Sequence, residues 1–331
     1  MKTIELDVAS EKEMGKSRRT ALTGPQFRFS GHETFPCRYA WLPKAVQNLA
    51  TNPLLFMDEE NAMVTLGVGK NMVRAIRFWA DAASMTSDRR PEGLNVTRFG
   101  SDLLGNDGYD PYLERIQTLW MIHWKIATNV EQPLFAWHHL LNYWHRPEFT
   151  RSEAMSSFQE EARRLGKRLS DVTLDNHFTT FLHTYTPTRS KKNEVQEDNL
   201  DCPLVELELL VKSGERNVAS SGRRESVYTF RLEDKPEISQ PVFIYCLNDF
   251  WMNRRKNEKT LSFRDLSVAE GSPGQVFKLP EQAVRARLER LKKDSGGAFD
   301  FQESTALQQV MRRRDVEAED LMEAIYLGRD N

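Results

Sequence analysis

The chain reads as a mainly α protein with small β-wings, an α+β fold of tandem winged-helix or helix-turn-helix units, on three observations. The stretch "TLGVGKNMVRAIRFWADAASM" carries a helical period, with Val73, Ile76, Ala80 and Ala83 on one face and Lys70, Arg74, Arg77 and Asp81 on another. Gly67 and Gly69 stand just before it, where a tight turn between helices needs small residues or positive φ. The following "TSDRRPEGLNVTRFGSDLLG" supplies a Pro/Gly loop with Arg89 and Arg90, a β-like run from Leu94 to Thr97, and Arg98 opening a return helix. That order predicts a wing, and a similar grammar recurs twice further along.

At 331 residues the chain exceeds one small core and suits two or three domains. Residues 1–25, polar and charged, read as a flexible arm. Residues 26–125 form the first unit, a winged-helix DNA-binding domain. Residues 126–235 form a second winged-helix-like unit: Ser170 or Asp171 caps a helix whose apolar face is Leu174, Phe178, Phe181 and Tyr185. Its other side, Asp175, Asn176, Thr179 and Thr180, carries no base, which suits a spacer or partner-binding module. "VELELLVKSG" and "ESVYTFRL" then pair as a long wing. Residues 236–331 repeat the pattern, with "PVFIYCLNDFWMNRR", "TLSFRDLSV" and "PEQAVRARLERLKK" as helices, the last on a stripe of Val284, Leu288 and Leu291, before strand-like "AFDFQE" and basic "MRRR".

The 46 basic and 48 acidic residues nearly cancel, so DNA binding must come from local basic faces rather than a uniform positive field. Lys70, Asn71, Arg74 and Arg77 on the recognition helix, with Arg89, Arg90 and Arg98 on the wing, are that face. The three cysteines, Cys37, Cys202 and Cys246, are far apart and odd in number, which excludes a disulfide framework and fits a reducing cytoplasm. The N-terminus has no apolar signal core, and no stretch reaches the roughly 18 apolar residues of a membrane span. The expectation is a cytoplasmic protein with no membrane contact.

Candidate chemistry concentrates in "RFSGHETFPCRYAWLPKAV". His32 and Glu33 begin like a zinc-protease motif, but Pro36 stands where the second His belongs, so that chemistry is excluded. The pair remains open as a general base with a carboxylate, as part of a divalent-metal site, or as a plain entry into the first helix. His138 and His145 are too widely spaced for a tight metal pair and fit an aromatic core helix. His123 in "HWK" lacks the partners of a phosphodiesterase His-x-Lys motif, and Glu233 with Lys235 imitates a nuclease Glu-x-Lys weakly. No nucleotide-binding glycine pattern occurs. In "GSPGQVFKL", Ser272 and Lys278 offer a phosphate-receiving loop, or a plain turn between helices.

Four segments, "GHETFPCRYAWLPK", "LGVGKNMVRAIRFWA", "DGYDPYLERIQTLWMIHWK" and "EGSPGQVFKL", fall in order from residue 31 to residue 279. Through them the chain resembles the domain-of-unknown-function family 4007. The resemblance implies a bacterial component of a DNA phosphorothioation system in anti-phage defence that nicks DNA so that sulfur can replace a phosphate oxygen. Its implied partners are double-stranded DNA, a cysteine desulfurase, an ATP-pyrophosphatase-type sulfurtransferase and an ATPase. Nicking within this resemblance points to His32 as general base or metal ligand, Glu33 as metal-binding carboxylate, Arg38 on phosphate and Lys44 assisting, with Mg²⁺ or Mn²⁺ as the cation. The alternative is a non-catalytic DNA-binding adaptor or transcriptional regulator that recruits the sulfur-transfer enzymes.

Overall fold

The structure, a computed structural model, describes residues 25–88, 93–187, 202–218, 222–304 and 307–328. The arm expected over residues 1–25 lies almost wholly outside them, as do Arg89 and Arg90.

The fold is mixed, helices with three small antiparallel sheets. Among the described residues the first α-helices are α1 (Trp41–Thr51), α2 (Glu59–Leu66) and α3 (Lys70–Ala82). Asp58 caps α2 by accepting from the Glu60 and Asn61 amides, both at 3.1 Å. Gly67 ends it at φ 67°, the left-handed position that a side chain would resist. Val73, Ile76, Ala80 and Ala83 are buried, as their spacing requires. The strands β1 (Thr86–Asp88) and β2 (Leu94–Val96) then pair antiparallel, followed by α4 (Arg98–Leu104), capped by Thr97.

The long apolar helix α5 (Ile116–Thr128) leads to α6 (Phe135–His138), which opens into a π-helical turn, His139–Tyr143. Next come β3 (Glu148–Thr150), α7 (Arg151–Arg164) and α8 (Asp171–Tyr185). A capping box between Thr150 and Glu153 starts α7, and Ser170 caps α8. The predicted apolar face of α8 is buried throughout; Thr180, expected outside, is buried as well, because its hydroxyl faces His32. The run "PLVEL" is a 3-10 turn, so the expected strand begins only at Leu210: β4 (Leu210–Val218) pairs with β5 (Arg223–Phe230), and β3 adds to β5's other edge in the order β3-β5-β4.

The last third repeats this plan. After α9 (Gln240–Arg254), β6 (Thr260–Ser262), α10 (Phe263–Val268), α11 (Pro273–Val276) and α12 (Glu281–Asp294) precede β7 (Phe299–Glu303) and β8 (Gln308–Arg312), in the order β6-β8-β7. Both three-stranded sheets thus place a short first strand beside the third. The closing helix α13 (Ala318–Tyr326) packs on α9 and returns to the first unit, where the Tyr326 hydroxyl lies 2.5 Å from that of Thr118 and its ring stacks on Tyr109.

One continuous apolar core runs from Phe29 to Tyr326 and holds Trp79, Trp120, Trp124, Trp137 and Trp251 fully buried. Each such side chain stabilises the fold by a few kcal/mol, about 1.5–3 for an ordinary large residue. Across it, Lys125 of α5 donates to Asp249 of α9 at 2.5 Å, and Trp124 to the same carboxylate at 2.8 Å. Burial works against the ammonium, but Tyr245 and Asp249 hold its pKa above the ordinary lysine value.

Candidate nucleic-acid interface and the Gly31–Thr34 turn

The segment Pro25–Phe29 is tied to the chain before α6: Arg28 bridges Leu134, receiving the Phe135 amide and donating to the Pro133 carbonyl, both at 3.0 Å. Arg28's guanidinium reaches Asp81 of α3 at 2.6 Å. The backbone then turns through left-handed conformations at Gly31 (φ 109°), Glu33 (φ 49°) and Thr34 (φ 62°). A side chain at Gly31 would come within 2.8 Å of the Phe78 ring, so glycine is required there twice over. For β-branched Thr34 the conformation is strained, at a cost on the order of 1–3 kcal/mol.

This turn carries His32 inward. Its Nε2 lies 3.0 Å from His177 Nδ1 on α8, and its Nδ1 receives the Thr34 amide at 3.0 Å and faces the Thr180 hydroxyl at 3.2 Å. His177 Nε2 in turn receives the Ala136 amide at 3.1 Å. Two neutral rings carry two N–H groups, and if both outer nitrogens accept, both protons fall between the rings, where only one fits. Thr180 offers a way out, because its hydroxyl donates to Asn176 O and its oxygen can accept from His32 Nδ1–H. The Thr34 amide is then left opposite an N–H group. Burial pushes His32 down to about 4, and burial, then the charges of His32 and Arg28, push His177 well below the usual value. Both rings are neutral at pH 7.

Glu33 is half-buried, its charge adding to the larger effect of Glu59 in raising Arg74, and a cavity of about 170 Å³ opens between the turn and the Thr173–Asn176 edge of α8. Arg38 does not join it: its guanidinium stacks on Phe35 and Trp41 at 5.7 and 5.4 Å. Lys44 donates to the Leu66 carbonyl at the end of α2. Among the described residues no three His, Cys, Asp or Glu side chains converge to hold a metal ion, and both His32 nitrogens are engaged, so this turn does not fit a divalent-cation site as it stands.

The expected basic face is assembled on α3. Its N-terminus at Gly69 has no side-chain cap, so its first amides remain available to an anion, with Lys70 and Asn71 exposed beside them. Carboxylates temper the face: Glu59 holds Lys70 at 2.8 Å and Arg74 at 2.7 Å, Arg77 lies 3.9 Å from Asp88, and Arg98 pairs with Asp102 and Glu319. The hydrogen bonds from Arg74 and then Lys70 hold the Glu59 carboxyl down at about 2.

Ser272 and Lys278 lie elsewhere, and inward. Ser272 is fully buried and caps α11; Lys278 donates to the Leu141 carbonyl at 2.6 Å beneath the Phe230 ring. Burial and then the charge of Lys235 bring it down to about 7. The phosphate-receiving loop expected there is instead a packed turn, because its polar groups are consumed by the chain's own carbonyls. The nuclease-like Lys235 is likewise a core strut, donating to the Arg231, Glu233 and Lys278 carbonyls. His123 ties Tyr185 to Val276 O.

The contact sequence reasoning missed is His32 with His177, 145 residues apart; no local pattern announces it. All three cysteines are free and buried, and no helix among the described residues is long and apolar enough to cross a membrane.

Two solved structures share this fold. "SspB crystal structure" aligns with a TM-score of 0.77 and "Magnesium ion-bound SspB crystal structure" with 0.76, each at 24% identity over 92% of this chain and 91% of the other. No curated protein matches the chain. The profile described as "Protein of unknown function (DUF4007)" matches residues 29–326, which takes in every described helix and strand, and the chain therefore belongs to the DUF4007 family.

Proposed function

We propose that this chain is the DNA-engaging component of a bacterial phosphorothioation system, built from three winged-helix units over residues 26–125, 126–235 and 236–331. The observation that carries the proposal is α3: an uncapped helix N-terminus with exposed Lys70, Asn71 and Arg74, preceded by a glycine turn and followed by a hairpin. In a winged helix that element enters the major groove while the hairpin follows the backbone. The recurring order of short strand, helices and two paired strands supports the same plan in the other two units. Its fold likeness to the SspB structures supports the pathway, with a cysteine desulfurase, a sulfurtransferase and an ATPase as partners in the cytoplasm.

A second reading makes the chain itself a nickase at the Gly31–Thr34 turn. The consecutive left-handed residues Glu33 and Thr34 favour it, since strain of this kind collects at functional positions. In that reading the turn opens first, His32 leaves His177 to act as the base, Glu33 is the carboxylate beside it, and Arg38 follows the phosphate. The test is purified protein with supercoiled plasmid and Mg²⁺ or Mn²⁺. Nicked circles that vanish in His32→Ala and Glu33→Ala establish the nickase at this turn; binding without nicks establishes the adaptor; neither binding nor nicks sinks both.

A further inference from the structure

The run "AWHHLLNYWH" does not continue as one α-helix. Its π-helical turn over His139–Tyr143 keeps His139, Leu140, Leu141 and Asn142 buried and brings Tyr143 out, 44% exposed. Such widened turns gather at functional positions. Tyr143 lines a cavity of about 390 Å³ with His138, Glu161, Arg164, Arg254 and Glu270, brought together from α6, the ends of α7 and α9, and the loop before α11.

Within this cavity a part-exposed phenol is hydrogen-bonded to a carboxylate. The Tyr143 phenol donates to one oxygen of Glu270, whose other oxygen receives Arg254 at 2.7 Å. His138 is 8% exposed, and its Nδ1 is buried without a hydrogen-bond partner, 3.9 Å from Glu270 and so beyond bonding reach. Among the described residues Arg164 pairs with Glu161 alone, at 2.8 Å, and it is 72% exposed, an ion pair that an arriving anion exchanges readily. The phenol ring is thus part-exposed, and among the described residues nothing bonds the buried imidazole nitrogen.

We propose that Tyr143 is a nucleophile toward a DNA phosphodiester. In the step, Tyr143 Oη forms a bond to phosphorus as one P–O(sugar) bond breaks. The phenol proton passes to Glu270, the leaving sugar oxygen on the opposite side of phosphorus takes its proton from water, and Arg164 faces the non-bridging oxygens. The products are a phosphotyrosyl-linked strand and a free sugar hydroxyl, with no oxidant, reductant or further reactant consumed. This site stands apart from the Gly31–Thr34 turn and rests on the DNA-binding reading.

The test uses the full chain with end-labelled supercoiled and oligonucleotide DNA, quenched in denaturant. The expected result is a covalent protein–DNA adduct that maps to Tyr143. Tyr143→Phe should lose adduct and nicking by at least roughly 1,000-fold while its circular dichroism stays that of the folded protein, and Glu270→Gln should lose most of both. Nicking that survives Tyr143→Phe, or DNA binding with neither nick nor adduct, overturns the proposal. Failure of the wild type to bind DNA would instead reject the DNA-binding reading. The tyrosine is then judged with bis(p-nitrophenyl) phosphate, where no nitrophenol burst and no mass gain on Tyr143 rejects the nucleophile also.

Discussion

Thr34 concentrates the tension in the Gly31–Thr34 turn, since a β-branched side chain at φ 62° is crowded by its own backbone. Asparagine tolerates that conformation, so Thr34→Asn should raise stability by about 1 kcal/mol, read as a higher urea midpoint with unchanged slope. If the turn takes part in chemistry, the relaxed variant should be more stable and less active. At this scale the sequence was legible in part. His32 and Glu33 stand out by residue type, and Pro36 stands where a zinc protease would need its second His. Nothing local could show that His32 faces His177, because that contact is made by α8, folded against the turn from 145 residues away. Ser272 and Lys278 misled for a related reason. Glycine, serine and lysine in a loop look alike whether the backbone groups receive a phosphate or the lysine fills a buried carbonyl cage, and burial decides between them.

The elements that the period of the sequence marked, α3, α8, α9 and α12, stand where expected, since an apolar stripe commits a helix to the core. The three-residue strands β3 and β6 were not legible, because they are strands only by pairing with β5 and β8, which follow much later in the chain. On α3 the carboxylate of Glu59 neutralises two cations at once. Glu59→Gln should therefore tighten double-stranded DNA binding several-fold at low salt, measured by fluorescence anisotropy, with the gain shrinking as salt rises. Between α5 and α9, Lys125→Met should destabilise the fold by about 2–4 kcal/mol, because it leaves the largely buried Asp249 carboxylate with Trp124 as its one hydrogen-bond donor among the described residues. A loss below about 1 kcal/mol in denaturant unfolding would show that this pair is better hydrated than its burial indicates.

For the whole molecule, the continuous core and the return of α13 to Thr118 make the three segments cooperative, so a single unfolding transition is expected. Its acid response follows from the buried histidines. His32, His123 and His139 are pushed by burial from 6.5 to about 4. Between those pH values the unfolded chain binds protons that the folded chain refuses, so stability falls as pH drops from 6.5 toward 4. The loss approaches roughly 3 kcal/mol for each ring once pH is below 4. Calorimetry across that window should show Tm falling steeply; a flat Tm would mean the rings are hydrated. The central claim, that α3 reads DNA, is tested most directly by the affinity of the full chain for duplex DNA across a salt series, beside Arg74→Ala/Arg77→Ala. The account predicts weaker binding in the double variant and a log–log salt slope shallower by about 0.9 for each phosphate contact removed, up to about 1.8; identical affinity and slope for the two proteins would contradict it.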